Sequence, residues 1–143
     1  GQNLDRQAAD LRRDLNNAQV GITNTGSKLI VTMPQDILFA LNSAAVRRDL
    51  RRDLGVVASN LQAYPNSTIE IAGHTDNTGS GRYNQALSQR RANAVSTILM
   101  SNGVQPMRLQ TIGQGEGDPV VSNLTSEGRA QNRRVEIIIR PNA

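Results

Sequence analysis

Residues 73–95 read GHTDNTGSGRYNQALSQRRANAV. They follow STIEIAG (Ser67–Gly73), whose alternation of apolar and polar residues predicts a strand. The strand ends in a polar, glycine-rich loop, and a helix is expected from about Arg82 to Asn102, stopped by Gly103. At about 100° per residue, Leu87, Ala94, Val95 and Ile98 form one apolar stripe, which is the face that seeks a core. Asn84 and Arg91 fall inside that stripe, whereas Arg90 points away with Gln89, Asn93 and Thr97. A guanidinium on a buried face costs several kcal/mol unless it is paired and hydrogen-bonded. Arg91 therefore requires either an internal acid or a ligand.

Working outward, Leu4, Ala8, Leu11 and Leu15 place one apolar stripe on a helix over residues 1–18. So short a helix needs a partner surface, and this segment reads as a helical element or the end of a linker. VGITNTGSKLIVTMP predicts a hairpin, Val20–Asn24 and Lys28–Met33, around a Thr-Gly-Ser turn. ILFALNS is a short apolar run, and a second helix follows with Leu50, Leu54, Val57 and Leu61 on one side and Pro65 beyond its end. RLQTIGQG is a short strand, the stretch to about Asn132 is polar and reads as loop, and RRVEIIIRP closes the chain as a strand. From residue 28 the order is strand, helix, strand, helix, strand, loop, strand. That order predicts an α+β fold: a mixed sheet with two main helices on one face and at least one parallel crossover.

Bulk properties narrow the chemistry. With 143 residues the chain is the size of one domain, and with two Tyr, one Phe and no Trp its core must be aliphatic. Absence of cysteine excludes disulfides and thiolate-held metals. No apolar run approaches a membrane span. A net charge of +4, from 15 Arg and a single Lys against 12 acids, favours anionic partners and, through arginine, bidentate contacts to carboxylates.

The last strand repeats the anomaly of the helix. Val135, Ile137 and Ile139 share one face, and a period of two puts Arg133 there as well, with Arg134, Glu136 and Arg140 on the other. Two arginines at the ends of core faces suggest an anion pocket where helix and strand meet. Ordinary ion pairs with Glu127, Asp118 or Asp76 would explain them equally. Asp76, between strand and helix, suits either an Asx-turn contact to loop amides or a site for an ammonium group beside the arginine. An acid and an arginine held together, each half satisfied, suit a zwitterion such as an amino-acid head group.

Groups competent for catalysis are scarce. His74 is the single histidine, and no GxSxG accompanies it. The glycines of GQGEGDP and GSGR lack the Lys-Ser/Thr of a phosphate-binding loop. No cluster has metal-ligand spacing, so neither a metal nor another cofactor is expected. The arginines lack the aromatic platforms that nucleic-acid bases need. Binding without chemistry is the expectation, and an enzymatic reading would require His74 to matter.

Three ordered segments carry a resemblance: IEIAGHTDNTGSGRYNQALSQRRANAVSTILMSNGV, RLQTIGQGEGDPVVSN and TSEGRAQNRRVEI. Over about Leu29–Pro141 the chain resembles the OmpA-like C-terminal, peptidoglycan-binding domain family, and GSKLIVTMPQDILFALNSAAV is most like its outer-membrane lipoproteins. The resemblance implies a βαβαβ-type two-layer sandwich over residues 19–143, preceded by the segment 1–18. It also implies non-covalent binding to the meso-diaminopimelate of the peptidoglycan stem peptide, tethering the outer membrane of a Gram-negative bacterium to the wall from the periplasm. By the same resemblance Asp76 holds the ammonium group, Arg91 grips the carboxylate, and Asn84, Thr75 and Arg133 line the pocket. Phe39 to Asn42 match a loop contributing rim contacts, with Ala40 and Leu41 in place of a more polar pair. An anchor upstream of this segment is expected, as a lipid, a membrane span or a barrel. Homodimer formation is left open. The alternative is an interaction module of a stator or secretion complex built on the same domain.

Overall fold

The computed structural model describes residues 2–15, 17–40 and 43–142. In chain order the elements are α1 (Gln2–Asp14), β1 (Gly21–Asn24), β2 (Leu29–Pro34), α2 (Gln35–Leu38), α3 (Arg48–Ala63), β3 (Ser67–His74) and α4 (Gly81–Ser101). A 3-10 turn (Pro106–Arg108), β4 (Leu109–Gly115), α5 (Ser126–Asn132) and β5 (Arg134–Pro141) complete it. The strands form one sheet in the order β1-β2-β5-β3-β4. Among the described residues only β3 and β4 run parallel, joined by the crossover through α4, and the other strand pairings are antiparallel. The fold is the expected mixed α+β sheet with its main helices on one face.

Register explains which face is covered. Val31 and Ile71 both lie opposite Ile137, and Leu29 and Ile69 both lie opposite Ile139. Together with Met33 and Val135 they make one apolar surface on the sheet. Leu50, Leu54, Val57 and Leu61 of α3 and Ala92, Val95 and Leu99 of α4 bury against that surface. So do Leu4, Ala8, Leu11 and Leu15 of the first segment, which joins this core through α3 and β1. Gln7 donates to the Asn60 side chain at 2.9 Å, and Tyr64 donates to Asp10 at 2.6 Å, so α1 and α3 are also linked by polar contacts. Arg108 satisfies the end of α3 by donating to the carbonyls of Leu61 (2.9 Å) and Tyr64 (3.2 Å) and to Ser67.

Helix α4 lies unusually close to the sheet, because the residues beneath it are glycines. Gly73 and Gly113 are paired across β3 and β4. A Cβ on Gly73 would sit 2.3 Å from the Ser88 carbonyl oxygen, and one on Gly113 would sit 2.6 Å from the Gln89 nitrogen. The register of β3 against β4 then shifts between Gly73 and His74, so that His74 pairs with Gly115, whose φ is +55°. That irregularity releases the chain into the Thr75–Ser80 loop. Ser80 caps α4 by accepting from the Tyr83 amide at 3.1 Å.

Two short helices depart from the sequence expectation. The single turn α2 precedes and runs into the start of ILFALNS, and the polar stretch before β5 contains α5, capped by Thr125 through the Gly128 amide at 2.9 Å. Seven residues, five of them polar, leave no apolar stripe to read, and α5 is instead held by tertiary contacts. Asn132, fully buried at its end, donates to the Val121 carbonyl and accepts from the Val120 and Val121 amides.

Candidate functional site

Where β3 ends, the Thr75–Ser80 loop, α2, the start of α3, the first half of α4 and the α5–β5 junction surround a cavity of about 570 Å³. The end of a strand beside the start of a helix is where loop groups are held rigidly without being used by the sheet ladder.

Asp76 stands on the loop side, only 6% exposed. Its Oδ1 accepts from the Thr78 amide at 2.8 Å, an Asx turn that fixes the loop. Its Oδ2 accepts from Arg133 Nη1 at 2.7 Å. Burial pushes this carboxyl upward, but the Thr78 and Arg133 hydrogen bonds outweigh it and hold its pKa below the ordinary value. Asn84 shapes the same loop from α4, donating to the carbonyls of Thr78 (2.9 Å) and Asp76 (3.4 Å). Thr75 is buried, with its amide on the Gly115 carbonyl at 2.8 Å and its hydroxyl on the Asp76 carbonyl at 2.8 Å.

Arg133 bridges two acids. Besides Asp76, its Nε and Nη2 donate to Asp36 Oδ1 (3.0 Å) and Oδ2 (2.8 Å) in a bidentate pair. The pair with Asp36 is the larger cause of its raised pKa, and Asp76 adds to it. The backbone closes the arrangement, since the Gln35 amide donates to the Arg133 carbonyl at 2.9 Å. Asp36 is the residue that sequence reasoning missed. The sole signal was an acid two residues past a strand end, and its partner lies 97 residues away in the chain.

Arg91 is buried, at 3% exposed, with no acid on its guanidinium among the described residues. Nε donates to the Ser43 carbonyl at 2.8 Å and Nη2 reaches the Ala40 carbonyl at 3.4 Å. The group lies 5.0 Å from the centroid of the Phe39 ring. Among the described residues Nη1 is buried without a hydrogen-bond partner. Desolvation lowers the pKa of Arg91 from its ordinary value, although an arginine stays cationic in proteins. The cation facing Asp76 is thus Arg133, and Arg91 stands apart on the same cavity.

Six of the seven residues expected at the site, Phe39, Thr75, Asp76, Asn84, Arg91 and Arg133, line this cavity. The seventh, Asn42, lies outside the described residues, as does Leu41. His74 takes no part: it is buried, with Nε2 at 3.1 Å from Glu136 Oε1, and it is not among the cavity residues. Glu136 also accepts from Arg134 at 3.2 Å, and the His74 hydrogen bond is the first cause of its lowered pKa. Among the described residues no group of three or more His, Asp or Glu is placed to hold a metal ion, and no helix is long and apolar enough to cross a membrane.

Chemically, Asp36, Asp76 and Arg133 together carry one net negative charge, and each carboxylate keeps outward lone pairs for a further donor. Arg91 offers a cation with an unused donor. One cavity thus offers both carboxylate acceptors and a cationic donor, which suits a small zwitterion.

Comparison with known proteins bears on this geometry. A profile of the OmpA family matches residues 38–133. The chain is 39% identical over 141 residues to the probable lipoprotein YiaD of Escherichia coli, covering 99% of this chain and 64% of that protein. It is 40% identical over 114 residues to outer membrane porin F of Pseudomonas fluorescens, covering 80% of this chain and 35% of the porin. The chain therefore spans less than two thirds of these relatives. Among solved structures, the cell wall anchor of the type VI secretion system from Pseudomonas aeruginosa is similar with a TM-score of 0.85 and 33% identity, over 96% of this chain and 98% of that one.

Proposed function

The chain belongs to the OmpA family, and from the cavity we propose that it is a non-catalytic peptidoglycan-binding module that takes the diaminopimelate of the stem peptide. The observation that carries this reading is the division of charge within one cavity: an acid pair sharing a single arginine, and across from it a buried arginine with an unsatisfied donor. Diaminopimelate in a stem peptide exposes an ammonium and a carboxylate on one carbon. The ammonium goes to Asp76, whose position Arg133 and the Thr78 amide fix, and the carboxylate goes to Arg91. Each charge-assisted hydrogen bond contributes about 1.5–3 kcal/mol before desolvation. Arg133 has all three of its donor nitrogens engaged and acts as a positioning residue for the two acids. Asn84 and Thr75 keep the loop in shape.

The relatives support a setting at the cell wall: one is named a lipoprotein, one an outer membrane porin, and one a cell wall anchor. We place this domain in the periplasm of a Gram-negative bacterium, connecting the outer membrane to the wall. Modest affinity at each site suffices, because many copies facing a polymer bind multivalently. The likeness to the type VI secretion anchor favours a second reading of the same chemistry, in which the domain fixes a secretion assembly to the wall.

Sedimentation with purified sacculi tests the site. Wild type is expected in the pellet, and Asp76→Ala and Arg91→Ala in the supernatant. Co-sedimentation of both variants at the wild-type level would remove the basis for this assignment.

A further inference from the structure

The cavity holds more positive charge than a zwitterion cancels. Four arginines, Arg47, Arg91, Arg129 and Arg133, line it against two carboxylates, Asp36 and Asp76, an excess of two positive charges. Arg133 is consumed by the two acids and Arg91 is accounted for by one ligand carboxylate. Arg47 and Arg129 remain, and neither forms an ion pair with an acid of the described residues. Arg129 donates to the Asn123 carbonyl at 2.9 Å, which orders its side chain without neutralising it. Arg47 is fixed at its backbone, whose amide donates to the Leu38 carbonyl at 2.7 Å.

The setting of Arg47 works against helix stability. It is the N-cap of α3, makes no side-chain capping bond, and is followed by Arg48, Arg51 and Arg52, with Asp49 the single acid of the first turn. A helix start carries partial positive charge and favours acids, so cations crowded there are held against the local field. An anionic group at the cavity mouth removes that conflict. Arg47 and Arg129 line the same cavity as Arg91, whose unsatisfied nitrogen is already taken by the head-group carboxylate, so the anion they call for is a second one.

We infer that the cavity reads a second carboxylate of its peptide ligand, in addition to the zwitterionic head group, and that Arg47 and Arg129 receive it at the mouth. The inference rests on the diaminopimelate reading and specifies the ligand further: an acidic stem peptide whose neighbouring glutamyl carboxylate is free, in preference to one in which it is an amide. Charge separates these two peptides, because an amide and a carboxylate have nearly the same shape.

Calorimetric titration of two synthetic tripeptides, alanyl-γ-glutamyl-diaminopimelate with the glutamyl carboxyl free or amidated, tests it. Amidation is expected to weaken binding to the wild-type chain by about tenfold or more, the loss of one charge-assisted contact. The Arg47→Gln/Arg129→Gln double variant is expected to bind the free acid about as weakly as wild type binds the amide, and to bind both peptides alike. Equal affinity of wild type for the two peptides overturns the inference while leaving the diaminopimelate reading standing. Discrimination that persists in the double variant overturns the assignment to these two arginines. Failure of wild type to bind either peptide overturns the reading of the cavity itself, and this inference with it. The comparison of peptides on the wild-type chain holds whether or not the variant folds.

Discussion

Replacing Arg91 by Met should separate binding from stability. In the free protein the Arg91 guanidinium makes one good hydrogen bond, to the Ser43 carbonyl at 2.8 Å, a long one to Ala40 at 3.4 Å, and a contact with the Phe39 ring at 5.0 Å. A hydrogen bond from a charged donor contributes about 1.5–3 kcal/mol and a partly desolvated cation–π contact about 0.5–2 kcal/mol. Against these stands a cation that is 3% exposed and has no acid partner among the described residues, a burden of several kcal/mol. The opposing contributions are of equal size, and a methionine fills the volume beside Phe39 with little strain. Arg91→Met should therefore alter unfolding stability by no more than about 1 kcal/mol. Binding should fall by about 2–5 kcal/mol, which is about thirtyfold or more, because a ligand carboxylate loses its buried partner. Urea unfolding gives the first quantity and sacculus sedimentation at graded protein concentration gives the second. A destabilisation above about 3 kcal/mol, with binding lost only in proportion to the unfolded fraction, would make Arg91 a structural residue and refute the reasoning.

Other perturbations probe the parts that hold this site. Gly73→Ala forces its Cβ against the Ser88 carbonyl and should lower stability by about 1–3 kcal/mol while displacing α4, with binding falling beyond the loss of folded protein. Both are read by unfolding midpoint and sedimentation. Removing residues 1–18 uncovers the surface on which Leu4, Leu11 and Leu15 are buried and leaves Asn60 without Gln7, so roughly 5 kcal/mol or more should be lost, read as a collapsed denaturant midpoint. The pKa of Asp76 is lowered in the folded protein, so its contribution is complete above the ordinary carboxylate pKa and disappears as pH falls through the folded value. Binding should be flat through neutral pH and lost in acid below about pH 4, and a loss already centred near pH 6 would contradict this. Glu136 follows the same sign, held low by His74 and Arg134, and Glu136→Gln should reduce the acid dependence of stability without altering binding to sacculi.

How much of this was legible depended on periodicity. The stripe of α4 exposed Arg91 and Asn84 as misplaced polar residues, because a helix of 21 residues samples its faces several times over. The strand period did the same for Arg133. What periodicity cannot give is the partner of a misplaced charge. The sequence set Arg91 facing Asp76 and allowed Asp76 as an ion-pair partner of either arginine, whereas the structure sets Arg133 on Asp76, brought in just ahead of β5. The sheet order decides this, because β5 lies between β2 and β3 and brings its first residues to the ends of both. Asp36 was invisible for the same reason, and α5 because its seven residues have no apolar face.

The placement of the charges follows from what the scaffold can tolerate. An unsatisfied donor on Arg91 survives because its helix is clamped from below: Gly73 and Gly113 let α4 rest on the sheet backbone, so the side chain cannot swing out to solvent by a shift of the helix. The acids need the opposite treatment, since two carboxylates near one another repel, and the Arg133 fork between Asp36 and Asp76 supplies it. A ligand therefore meets charges already separated and fixed, with little ordering left to do on binding.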